Sequence, residues 1–291
     1  MKYLYKAYNP SILLYLVLIV FIDIMMFENY FKVIAQDSIV LNPFSKSVQY
    51  FNQPSAFWIT NYDSLQLLQK LMKISAKKNS YFLLVQYIIP KRDREGFSRG
   101  GCPNTDLYIK YVKKISLIIN NKPTIMIVEP DELSFDIPQL DLILFAVKEF
   151  REKCPLIKIF IDSGHPKWKS IPVIVERLKK AGINYADGIS INVSSFNQTI
   201  SCLEYGNGIV KHFPNKKFIV DTSRNGGRIP TYPDIFDPKG IRVGIKPTFI
   251  TGNPNCFAFL WVKPPGESDG RVLSPGQFDR NLIEEVKKND N

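Results

Sequence analysis

Acidic side chains recur in a set of short, chemically loaded stretches of this 291-residue chain. Asp93 stands in "YIIPKRD", Glu129 and Asp131 in "VEPDELS", Asp162 in "IDSGHPKW", Asp221 in "DTSRNGG", and Glu267 and Asp269 in "WVKPPGESDG". Tyr87, Arg92, Ser98, His165, Trp168 and Lys263 lie in or beside the same stretches, and Asn192 ends a further strand-like run. A carboxyl crowded by a second carboxylate keeps its proton to higher pH, and a retained proton can be given to a leaving oxygen, as glycoside cleavage requires. Asp93 and Asp131 meet that requirement, and Tyr87 and Trp168 offer aromatic faces to a sugar ring. Each aspartate taken singly also fits a helix cap or a loop ion pair, so the argument rests on their convergence.

Other chemistries find less support. The chain has only two histidines, His165 and His212, and His212 falls between a helix and a strand, so a three-histidine metal site is excluded. No serine occupies a GxSxG elbow, and no phosphate-binding loop pattern occurs. No cofactor or metal is expected.

The elements that must position these residues are strands at 56–60, 81–88, 124–128, 157–161, 188–193, 217–220 and 257–262, each a short apolar run. Between them, 63–78, 105–120 and 137–154 carry apolar residues at three- and four-residue spacing and predict helices. This alternation predicts an α/β fold with a parallel sheet, and at this length a TIM-barrel-like β/α barrel. The acids and their companions follow the last six strands directly, so they gather on the carboxyl-terminal rim, where such barrels build their sites.

Hydrophobic content of 45% supports a full core, and no linker or repeat divides residues 36–291, which are expected to form one domain. Lys plus Arg number 38 against 27 Asp plus Glu, but they are scattered without a long block, which argues against a nucleic-acid partner. Residues 1–35 differ: Lys2 and Lys6 precede the apolar run 11–27, and "VIA" at 33–35 offers a cleavage site. An export signal and a secreted protein are expected, with an uncleaved membrane anchor facing outward as the alternative. Cys102, Cys154, Cys202 and Cys256 form no CxxC pair and would allow up to two disulfides after export. Asn192 and Asn197 head glycosylation sequons, the first inside a strand-like stretch where a structural role is favoured.

The stretches quoted above, with "INVSSF" and "FIVDTSRNGG", resemble glycoside hydrolase family 6 in order and spacing from about Asn42 to Gly270. The resemblance implies a distorted seven-stranded parallel β/α barrel that hydrolyses β-1,4-glucan with inversion and without a cofactor. It implies Asp131 as general acid, Asp93 as the support for its protonation, Tyr87 as the enforcer of a distorted ring and Ser98 as a holder of the attacking water. Asp269 is the candidate base, acting through water. Arg92, Asp162, His165, Trp168, Asn192, Lys263 and Glu267 would bind substrate, a glucan polysaccharide or cello-oligosaccharide, and a monomer is expected.

The sequence departs from that pattern at several points. Arg94 stands where the family has cysteine, Lys91 where it has aspartate, Ile171 and Ile235 where it has tryptophan, and Phe257 where an aspartate often begins the last strand. Short loops at 226–247 and after Gly270 favour an open cleft and internal cutting. Two readings therefore stand: an endo-acting β-1,4-glucanase, or a weak or inactive glucan-binding barrel used in wall assembly.

Overall fold

Short strands buried on both faces explain the architecture of the chain. The computed structural model describes residues 37–94 and 96–282, so the apolar run 11–27 and the cleavage site expected near residue 35 lie outside the described residues. Eight parallel strands share one sheet: β1 (Ser38–Ile39), β2 (Phe57–Ile59), β3 (Ser80–Gln86), β4 (Thr124–Val128), β5 (Ile157–Asp162), β6 (Gly188–Ile191), β7 (Lys217–Asp221) and β8 (Cys256–Leu260). From β3 to β8 they follow one another in sequence order. The two-residue β1 and the three-residue β2 pair with the same edge of β3, at its start and its end. The seven strands expected from the sequence are β2 to β8, curled into an incomplete barrel. β1 is an addition that two residues could not announce.

Every residue of β4 is buried, which fits strands covered on both faces rather than an alternating half-exposed sheet. Successive side chains point to opposite sides. One side, with Leu83, Val85, Ile125, Ile127, Phe160 and Ile219, fills the barrel interior. The other, with Phe82, Leu84, Met126 and Val128, packs under the helices. Each such side chain contributes roughly 1.5–3 kcal/mol by leaving water.

The helices are α1 (Lys46–Phe51), α2 (Tyr62–Leu71), α3 (Thr105–Ile119), α4 (Leu140–Lys153), α5 (Ile171–Ala181) and α6 (Thr199–Val210). Asn61 and Ser64 form a reciprocal capping box on α2, and Asn104 caps α3. Gly182 ends α5 at φ +87°, a left-handed conformation that favours glycine. The helix expected over 63–78 stops at Leu71, and Met72, Ile74 and Ala76 reach the core from the loop that follows.

No ladder joins β2 to β8. Instead, among the described residues, Ala56 N–H donates to Trp261 O at 3.1 Å and Trp58 Nε1–H donates to Val262 O at 2.9 Å. Trp261 and Val262, expected inside the last strand, lie just beyond it and serve this seam. All four cysteines are buried free thiols, so no disulfide forms. Asn192 and Asn197 are both buried, which leaves neither sequon open to a glycan in the folded domain.

Candidate active site

The rim gathers its residues through backbone that a regular strand cannot supply. Asp93, Glu129, Asp131 and Asn192 follow their strands with φ between +48° and +72°, the left-handed turn that swings a side chain sideways off a strand end. Gly96 makes room for one of them, since a Cβ there would fall 2.3 Å from Asp93 Oδ2. The result is a cavity of about 560 Å³ at the carboxyl ends of the strands.

Asp131 is half-buried in the wall of that cavity, and its Oδ2 lies 3.4 Å from the Tyr87 hydroxyl, which donates to it. Burial, then the charges of Asp162 and Asp93, push its carboxyl well above the usual range, against the opposing Tyr87 bond. Asp93 is also raised by burial, although the Ser98 N–H donates to its Oδ2 at 2.7 Å and Arg92 attracts its charge. Asp162 lies beneath. Its Oδ2 accepts from the main-chain N–H groups of Asp131 (2.9 Å) and Gly164 (3.1 Å), and its Oδ1 accepts from Ser190 Oγ at 2.9 Å. Burial raises the Asp162 carboxyl to about 7 against these three donors, whereas only Tyr87 opposes burial at Asp131, so in this coupled pair the proton resides on Asp131.

Asp269 has the opposite environment. Both its oxygens accept from Arg224 Nη1, at 2.8 and 2.7 Å, its Oδ2 also accepts from Asp237 N–H, and Lys263 Nζ stands 3.6 Å away. Burial alone would raise its carboxyl, but Arg224 and Lys263 outweigh that and hold it below the usual carboxylate range. Glu267, beside the same cavity, gains only the weaker pull of Lys263, and burial lifts it to about 7.

The other expected binding residues divide. His165, Trp168, Lys263 and Glu267 line the cavity; burial, then Lys167, lowers His165 to about 4, so the imidazole is neutral near pH 7. Arg92 lines it too, but its guanidinium is spent on the carbonyls of Ser98, Thr60 and Tyr87 and stacks on the Tyr87 ring, 4.8 Å from its centroid. Asp162 and Asn192 correct the expectation of sugar contact: both are fully buried, outside the cavity wall. Asn192 Nδ2 donates to Asp221 O at 3.0 Å, and its Oδ1 accepts from Asn197. Asp221 itself accepts four main-chain N–H bonds, from Ser194, Ser223, Val262 and Lys263, tying three rim loops together.

Trp58, Phe135, Phe196 and Phe236 also line the cavity and were not singled out in the sequence. Trp58 meets Tyr87 edge-on at 5.5 Å, and Phe135 meets Trp168 the same way at 6.0 Å. Trp58 was legible as the middle of the first strand, whereas the phenylalanines sit in loops without periodicity. Of the replaced tryptophans, Ile235 lines the cavity, while Ile171 packs into the helical layer beside Gly208. Arg94 pairs with buried Glu132 at 2.9 Å and lies 4.5 Å from the Phe135 ring centroid. Among the described residues no group of three His, Cys, Asp or Glu side chains is placed to hold a metal ion. The arrangement can therefore deliver a proton from Asp131 and hold a negative charge at Asp269.

Comparison with known proteins bears on this geometry. The family model for glycosyl hydrolases family 6 matches residues 36–289. Endoglucanase A of Thermobispora bispora is 32% identical over 251 residues, covering 81% of this chain and 55% of the relative. Endoglucanase A of Cellulomonas fimi is likewise 32% identical, with 54% of its length matched, so the chain spans about half the length of these curated relatives. The solved endoglucanase of Mycobacterium tuberculosis, in complex with methyl-cellobiosyl-4-deoxy-4-thio-β-D-cellobioside, superposes with a TM-score of 0.82 at 25% identity, over 88% of this chain and 98% of that one. Cellobiohydrolase II of Humicola insolens, in complex with glucose and cellotetraose, shares the fold with a TM-score of 0.77 at 19% identity, over 87% and 97% of the two chains.

Proposed function

Because this chain belongs to glycosyl hydrolases family 6, we propose that it hydrolyses β-1,4-glucosidic bonds of cellulose or a related β-glucan, with inversion and by internal cutting. The observation that carries the proposal is the state of Asp131: protonated by burial and by Asp162 and Asp93, touched by Tyr87, and open to the cavity. In this reading a water oxygen bonds to the anomeric carbon as the bond to the leaving oxygen breaks. Asp131 gives its proton to that oxygen, and the water's proton departs along a water chain toward Asp269. Tyr87 presses on the ring at the cleaved unit, Ser98 helps hold the water, and Trp168 and Trp58 stack on neighbouring units. The grip of Arg224 keeps Asp269 ionised but weakly basic, which supports a relay over direct abstraction.

Export through residues 1–35 and a monomeric catalytic domain over 36–291 belong to the same proposal. The second reading, glucan binding without turnover, draws on the engagement of Asp269 with Arg224 and on aliphatic Ile235 in the cavity wall.

The test is hydrolysis of carboxymethylcellulose and cellohexaose by the full chain beside Asp131→Ala, with product anomers followed by NMR. Initial α-anomers and an inactive variant support inverting hydrolysis. A fall in viscosity that runs ahead of reducing ends supports internal cutting. Soluble glucan bound but uncut would replace the enzyme with the binding barrel.

A further inference from the structure

The face opposite the cavity has a chemistry of its own. Five loops lead from a helix into the next strand there, at 72–79, 120–123, 154–156, 182–187 and 211–216. They hold six lysines, Lys73, Lys77, Lys78, Lys122, Lys211 and Lys216, against a single acidic residue, Asp187. That acid is already taken, by Arg151 at 2.5 Å and Lys158 at 3.5 Å. Helix carboxyl ends also gather on this face and favour cations within their last turn, which accounts for Lys153 and Lys180 at helix ends. Lys77, Lys78 and Lys122 lie beyond any last turn and need another reason.

Apolar side chains stand out between these lysines. Leu117, at the base of α3, is 76% exposed, and Ile250, in the loop before β8, is 67% exposed. Leu156 and Tyr185 lie half-exposed in two of the five loops. Leu117 also borders a shallow groove whose rim carries Lys73, Lys114 and Lys122. Exposed apolar tips set among lysines match a lipid interface, where the tips enter the headgroup layer and the lysines meet anionic headgroups. A nucleic-acid face would combine the same charge with polar and stacking groups rather than Leu117, Leu156 and Ile250.

We propose that this face docks on an anionic lipid surface, so that the cavity opens away from the bilayer. The docking does not depend on what the cavity does, and its test is separate from the hydrolysis assay.

The full chain is mixed with phosphatidylcholine vesicles, with or without about one-third phosphatidylglycerol. Lysines are then acetylated by a water-soluble reagent and counted by mass spectrometry. Lys77, Lys78 and Lys211 should be acetylated at least roughly fivefold more slowly on the anionic vesicles, the change that one lysine's attraction to such a surface produces. Lys91 and Lys239, exposed on the cavity side, should not change. In a Lys73→Glu, Lys77→Glu, Lys78→Glu, Lys211→Glu variant, Lys180 on the same face should lose its protection, and raised salt should do the same to the parent chain. Equal labelling on both vesicle types overturns the proposal, as does protection by a short RNA duplex where anionic vesicles give none.

Discussion

The Asp162 carboxylate accepts a hydrogen bond from the main-chain N–H of Asp131 at 2.9 Å, so one acid both fixes the backbone of the other and loads its side chain with a proton. Asp162→Asn removes a negative charge that raises Asp131. The Asp131 carboxyl should fall, and the alkaline limb of kcat against pH should move to lower pH. A purely structural role for Asp162 would lower kcat without moving that limb, and the pH profile on cellohexaose separates the two.

Trp168 stands half in solvent at the cavity wall, braced by Phe135 and stacked against His165 at 5.2 Å. A stacked ring is worth roughly 1–3 kcal/mol by analogy with bases, so Trp168→Ala should raise KM for cellohexaose about 5- to 150-fold. The value of kcat should change little. An effect confined to kcat would place this ring at the reacting unit instead.

Glu129 is fully buried behind the site, where it accepts from Gln86 Nε2 and the N–H groups of Ile88 and Ile89. Burial outweighs those donors and raises its carboxyl to about 8. Folding therefore favours its protonated form. The stability this gives is complete below the unfolded value of about 4.5 and is lost as pH rises through 8. Tm should decline by about 5–10 °C between mildly acidic and mildly alkaline pH. Glu129→Gln should start lower and flatten that decline, measured by calorimetry across the range.

Arg94 joins two rim loops without a covalent bond: it pairs with Glu132, donates to Lys91 O and Ile137 O, and covers Phe135. Glu132 is 1% exposed, so Arg94→Ala leaves a buried acid without its ion partner. The expected loss is about 2 kcal/mol in urea unfolding. Arg94→Lys should recover only part of it, because an ammonium cannot span the same set of acceptors.

The strand pattern was legible because buried parallel strands write unbroken apolar runs, and the rim was legible because its acids follow those runs directly. What stayed hidden depends on which way a side chain leaves the strand. Nothing in "IDSGH" tells that Asp162 turns under Asp131 rather than into the cavity, nor in "INVSSF" that Asn192 turns back to Asp221. Those directions come from left-handed backbone and from donors supplied by distant loops. The ion pair of Asp269 with Arg224 joins residues 45 apart, which no local spacing records. Phe196 and Phe236 lie in loops and carry no period that would place them on the wall.

The missing ladder between β2 and β8 leaves the described barrel wall a seam held differently from its paired strands. Two hydrogen bonds, from Ala56 and Trp58, stand where a paired strand would have made several. At roughly 0.5–1.5 kcal/mol each, these two bonds tie the seam less firmly than a full ladder ties the neighbouring strands. Trp58 belongs both to that seam and to the cavity lining. A change at this seam is therefore felt at once by an aromatic ring that faces the cavity.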